Sequence, residues 1–190
     1  MLKDLLKANR SFRRFKPGPA LSREDLTDLV DAARLSPSAR NAQPLKFILI
    51  DTPESCAKIF PFCAWAGYLK EWKGPAEAER PTSYIILLGD DAVSRDIDTD
   101  AGIACQSILL SAVEKGFGGC ILGSIDRPAI RDVFSIDERY TIRYVIALGK
   151  PSETVVLDDI SLNGIRYYRD EHDVHHVPKR SVDELIIEIL

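Results

Sequence analysis

Between Asp98 and Lys115 small and aliphatic residues return at helical spacing: Ala101, Ala104, Cys105, Ile108, Leu109 and Ala112. Gly116 follows, where a helix end favours a left-handed residue. A helix this apolar is stable only when covered, so the rest of the chain has to be arranged around it. Upstream, "SREDLTDLVDAARLS" sets Leu26, Leu29, Val30 and Ala33 on one helical face, with Ser22 and Asp25 as a capping pair. "LKFILID", "TSYIILLG", "GGCILGSI" and "TIRYVIALG" carry the β-branched and aromatic residues of strands, and short helices are expected from Thr52 to Phe60 and over "PAIRDVFS". Strands and helices alternate, which places the chain in the α/β or α+β class.

Residues 61–81 mix Phe62, Trp65, Tyr68 and Trp72 with a polar "KGPAEAERP" run, so a loop or broken helix is expected there. From Lys150 to Pro178 no period persists, and so long a structureless stretch is uncommon inside a compact domain. The tail is therefore expected to lie on a further surface, most simply a partner subunit. A last helix over "VDELIIEIL", capped by Ser181 and Glu184, needs a surface for its apolar residues as well.

The 190 residues, 45% hydrophobic and 28% charged, suit one globular domain, 1–190. The apolar runs fall short of the roughly 20 residues that span a bilayer, and "MLKDLLKANR" has no apolar signal core, so a cytoplasmic protein without a membrane partner is expected. Cys56, Cys63, Cys105 and Cys120 form no C-x-x-C pair and read as buried free thiols. A net charge of -4 argues against a nucleic-acid partner, which requires a broad basic face.

Against that acidic background "NRSFRRFKPG" is anomalous: Arg10, Arg13, Arg14 and Lys16 stand within seven positions without a carboxylate. Arg10, Ser11 and Arg13 offer the guanidinium forks and hydroxyl that a phosphate accepts, and Phe12 and Phe15 would anchor the segment. The same charges also fit a solvated basic patch. The loop "SPSARNAQP", bracketed by Pro37 and Pro44, presents Ser36, Ser38, Arg40, Asn41 and Gln43 to a ligand or merely connects helix to strand. In "GGCILGSI", Gly118, Gly119 and Gly123 would let backbone approach a planar ligand; tight strand packing explains them equally well. His172, His175 and His176 match no established metal spacing, so a solvated turn and no metal are expected. Neither the G-x-S-x-G elbow nor the P-loop is present.

Taken in order, "RSFRRF", "SPSARNAQP", "DTDAGIACQSILLSAVEKGFGGCILGSI" and "HHVPKR" resemble the nitroreductase family of FMN-dependent oxidoreductases over nearly the whole chain. The resemblance implies an α+β fold with a central mixed β-sheet flanked by helices. It also implies an intertwined homodimer in which the C-terminal extension, about 150–190, packs on the partner and FMN lies at the interface. Arg10, Ser11 and Arg13 then correspond to one phosphate and ribityl clamp, and Lys179 with Arg180 to a second. Pro37, Ser38, Ala39 and Asn41, with Gln43 beside them, correspond to ring and ribityl contacts reaching the flavin held mainly by the other subunit. Leu122 and Gly123 correspond to the backbone along the flavin N5 and O4 edge.

Trp65 and Tyr68 stand where they could stack on a substrate, or they are buried aromatics. Asn9 occupies a position where many relatives carry arginine. The implied activity is NAD(P)H-dependent reduction of nitroaromatics, quinones or similar small-molecule acceptors by ping-pong hydride transfer, with no side-chain acid or base required. The alternatives are a non-catalytic flavin-binding or sensory module and a specialised flavin-fragmenting or dehalogenating enzyme.

Overall fold

The computed structural model describes residues 1–160 and 164–190; of the 150–190 extension, 161–163 lie outside the described residues. Helices α1 (Leu2–Ala8) and α2 (Arg23–Arg34) precede strand β1 (Leu45–Ile50) and helix α3 (Pro53–Ile59). Next come β2 (Ser83–Asp90), α4 (Asp98–Glu114), β3 (Gly118–Leu122), α5 (Arg127–Val133) and β4 (Tyr140–Gly149). Short strands β5 (Val155–Asp159), β6 (Tyr168–Arg169) and β7 (His175–Lys179) and helix α6 (Val182–Leu185) complete the chain.

Local chemistry accounts for most boundaries. Ser22 and Asp25 exchange the reciprocal bonds of a capping box at α2, and the Thr52 side chain accepts from Ser55 N ahead of Pro53 at α3. Gly116 has φ +80° just past α4, the left-handed stop expected of it. Residues 61–81 form turns and single 3-10 turns with no regular element beyond them, as their composition predicts.

The main sheet has the order β1-β2-β4-β3, and every pairing in it is antiparallel. The mixed character expected of it enters only at its edge, where Ser11 bridges Gly119 in parallel. β2, the run "SYIILLGD", is buried along its whole length, because both faces of the sheet are covered. Tyr84, Ile86 and Leu88 enter a core with α3 and α5, whereas Ile85 and Leu87 enter one with α2 and α4. A register shift between Leu87 and Leu88 lets Ile142 and Val145 of β4 share the first of these cores despite their odd spacing.

The tail departs from the structureless expectation. β5 and β7 pair in parallel and β6 joins β7 antiparallel, giving a second, three-stranded sheet. This sheet sits on the chain's own N-terminal segment. Glu153, its side chain 2% exposed, accepts from the main-chain N of Arg13 and of Arg14 and from Arg169 at 3.0 Å. Ser152 N donates to Arg14 O, and Arg14 pairs with Asp173. Past Leu185 the chain leaves helical geometry, and Ile187, Ile189 and Leu190 lie fully in solvent. The expected last helix is thus a single capped turn, since its apolar residues find no surface on this chain.

Candidate functional site

The N-terminal basic segment is fixed by its aromatic residues. Phe12 N donates to Gly119 O at 3.0 Å, and Phe15, wholly buried, packs its ring against Gly149. A Cβ on Gly119 would stand 2.1 Å from Ala147 O, so this glycine is required by strand packing. Gly118 likewise makes room for the Phe12 ring. Of the two readings of these glycines, tight packing holds for Gly118 and Gly119. Gly123 is different: a Cβ there would make only ordinary contact with Tyr144.

Docking the segment this way turns Asn9, Arg10, Ser11 and Arg13 toward a cavity of about 320 Å³. Gln106 and Leu109 of α4, Ile121 of β3, Tyr167, and His175, Val177 and Lys179 of β7 form its other walls. Among the described residues, three cations and no carboxylate line it. Arg10 Nη2 donates to Leu6 O at 2.6 Å, while its Nε is buried without a partner. Burial holds the Arg10 guanidinium below its usual pKa. The Arg13 guanidinium lies 5.2 Å over the Tyr167 ring, and Asn9 Nδ2 reaches Gln106 Oε1 at 3.5 Å. An orphaned donor among unpaired cations is what an anion satisfies.

The rest of the basic cluster has other employment. Arg14 pairs with Glu79 at 2.7 Å and with Asp173, which together raise its pKa further, and Lys16 is exposed. Arg180 does not line the cavity; it is exposed and reaches Glu184 at 3.4 Å. Leu122 turns its side chain into the core, and its neighbour Ile121 faces the cavity instead. Gly123 is exposed just past β3, its carbonyl accepting from Arg127 Nη2 at 3.1 Å.

Pro37, Ser38 and Gln43 line a different cavity, of about 300 Å³, together with Ser36, Asp100 and Ala104. Asp100, buried at the first turn of α4, organises their loop. Its carboxylate accepts from Ser38 Oγ at 2.5 Å and Ala39 N at 3.0 Å, and Ser38 Oγ accepts from Gln43 N at 2.9 Å. Gln43 Nε2 in turn meets the Asn41 carbonyl and side chain, both at 3.2 Å. Arg40, Asn41 and Gln43 have φ of +54°, +55° and +51°. Three non-glycine residues so close together in the left-handed region are strained, and such strain gathers at binding sites. Asp100 and Ala104 lie roughly half a turn around α4 from Gln106 and Leu109, at 3.6 residues per turn. One chain therefore presents the two groups of expected contacts on opposite flanks of the same helix.

The aromatic candidates separate as well. Trp65 is buried in the core, 5.8 Å from the Phe60 ring, so its role is packing and the stacking expectation does not hold for it. Tyr68 is half exposed and lies 4.8 Å from the ring of Tyr167, which lines the cation cavity. The three histidines do not form one turn. His172 is exposed, His176 lies between Asp158 at 2.6 Å and Asp170 at 3.2 Å, and His175 is buried in the cavity wall. Among the described residues no group of three or more His, Cys, Asp or Glu is placed to hold a metal ion, and no helix is long and apolar enough to cross a membrane. All four cysteines are buried free thiols, with burial raising Cys63, Cys105 and Cys120 to about 12.

Sequence reasoning passed over Tyr167, Glu153 and Asp100. Nothing local marks Glu153, whose main-chain donors Arg13 and Arg14 are about 140 residues away. "HHVPK", by contrast, has the alternation of a strand and could have sorted His175 from His176.

A sheet covered on both faces by helices, with a cation cavity at its edge and a strained polar loop on the far flank of the central helix, defines an α+β protein with a site suited to an anionic ligand. Residues 6–150 match the Nitroreductase family model, and the chain belongs to that family. Its relatives include YdgI of Bacillus subtilis, whose name assigns it provisionally to the NAD(P)H nitroreductases; the two are 24% identical over 79% of this chain and 88% of that one. The iodotyrosine deiodinase of Thermotoga neapolitana is 26% identical over 80% and 90% of the two chains. Among solved structures, an FMN-dependent nitroreductase from Clostridium difficile R20291 superposes with a TM-score of 0.64 at 25% identity, covering 78% of this chain and 87% of that one.

Proposed function

We propose that this protein is an FMN-dependent oxidoreductase that draws on NAD(P)H to reduce a small organic acceptor, of the nitroaromatic or quinone type. The observation that carries the reading is the cavity in which Arg10, Arg13 and Lys179 meet no carboxylate and the Arg10 Nε has no partner. A phosphomonoester, with about two negative charges and three acceptor oxygens, suits that donor set. The names of YdgI and of the Clostridium difficile protein support the same cofactor and reductant.

In this reading Arg10, Ser11, Arg13 and Lys179 hold the phosphate, and the exposed backbone after Leu122 borders the ring. Arg180 adds to the second clamp once its exposed contact with Glu184 is exchanged. Bound FMN would supply the hydride chemistry, so this chain's residues need only bind, orient and exclude. Pro37, Ser38, Ala39, Asn41 and Gln43 serve the site of a second copy. Their place across α4 from the cation cavity supports this, because a flavin in that cavity meets such a loop only if a second chain brings it. The bare apolar residues after Leu185 support a homodimer too. The tail past residue 150 then has two parts: a sheet on its own chain and an end that covers the partner.

Reconstitution with FMN followed by anaerobic titration with NADH and NADPH tests the reading. The expected result is a yellow protein whose flavin band bleaches with one of the two and recovers on adding a nitro compound. A colourless protein overturns it. A yellow protein that neither reductant bleaches favours the non-catalytic binding module.

A further inference from the structure

The geometry points to His175 as a neutral hydrogen-bond donor to the phosphate group bound in the cation cavity, acting beside Arg10. This inference rests on the flavin reading above and adds a residue to it. It starts from the alternation of β7: His175, Val177 and Lys179 share the face that lines the cavity, while His176 is engaged on the other face by Asp158 and Asp170. His175 is 1% exposed, and among the described residues neither of its ring nitrogens has a partner. Buried polar groups are almost always satisfied, so two orphaned nitrogens on one ring imply a missing partner.

The ring is not free to seek that partner elsewhere. Tyr167 lies against it at 5.2 Å, and its main-chain N is tied to Thr154 O at 2.9 Å. The charged groups around it are Arg13, Arg169 and His176, with Asp173 as the opposing carboxylate. Burial first, then those positive neighbours, hold its pKa at about 4, so the imidazole is uncharged near neutrality. An uncharged imidazole still has one N–H to give. It thus adds a donor to a cavity that already holds three cations without adding a fourth charge for them to repel.

A test compares FMN with riboflavin, which lacks the phosphate, on wild type, His175→Leu and His175→Gln, with melting temperatures measured alongside. Expected is an FMN affinity reduced about ten- to one-hundred-fold in His175→Leu. Riboflavin affinity stays unchanged, and the side-chain amide of His175→Gln restores most of the FMN binding. Equal losses for FMN and riboflavin, or full FMN affinity in His175→Leu, overturn the inference. If wild type binds neither flavin, the flavin reading fails by itself. Titration with inorganic phosphate, followed by the His175 ring resonances, then decides: a saturable shift supports the anion role and no shift overturns it.

Discussion

Arg10 and Arg14, four positions apart in one basic run, do opposite things, and the difference lies in their neighbours. Arg14 is held between Glu79 and Asp173, whereas Arg10 keeps a buried Nε with no acceptor. Arg10→Ala and Arg13→Ala are each expected to weaken FMN by about 1.5–3 kcal/mol, the worth of a charge-assisted hydrogen bond, as read by flavin fluorescence quenching. Arg14→Ala should leave FMN affinity within error and lower the melting temperature. Unchanged FMN binding in both Arg10 and Arg13 variants would return the segment to a plain basic patch. On the far flank, Asp100→Ala removes the acceptor of Ser38 Oγ and Ala39 N, leaving a strained loop without its brace. A loss of about 1–3 kcal/mol in urea unfolding is expected, accompanied by weaker FMN binding.

The small sheet β5-β7-β6 holds two adjacent histidines of opposite pH behaviour. His176, between Asp158 and Asp170, has its pKa raised by those hydrogen bonds, so its contribution is complete below about 6.5 and is lost as pH rises through the raised value. His175, held at about 4 by burial and by Arg13, binds its proton more readily in the unfolded chain. Stability therefore falls as pH drops from about 6.5 toward 4. Thermal melts across pH should show the acid-side loss shrinking in His175→Gln and the alkaline-side loss shrinking in His176→Gln. Little of this sheet was legible beforehand: β5 and β6 are five and two residues long, too short to show a period, and the alternation of β7 does not say which strands it joins. α2, α3 and α4 were legible, since Ser22, Thr52 and Gly116 cap them with bonds made within a few residues. α1 escaped notice for a related reason: it buries nothing, so Leu2, Leu5 and Leu6 leave no core-facing stripe. The site divides in the same way. Its N-terminal cations stand together in sequence, whereas Tyr167 and His175 join them only through the fold.

At the scale of the whole molecule, the exposed residues from Ile186 to Leu190 are a demand for a second surface. Deleting them is expected to shift the protein from dimer to monomer in sedimentation velocity. FMN affinity should fall with it, because the loop from Pro37 to Gln43 then has no neighbouring flavin to serve. A truncated protein that remains dimeric and fully yellow would remove the tail from the interface. The cavity has a further consequence for how the protein is made. Arg10 leaves the ribosome long before His175 and Lys179, which stand on the opposite wall. The Glu153 clamp that closes the two ends spans 140 residues. Loop-closure entropy must be met before that contact gives anything back. A nascent chain can therefore fold its main sheet while still attached, but its cation cavity lacks one wall until His175 and Lys179 have been made.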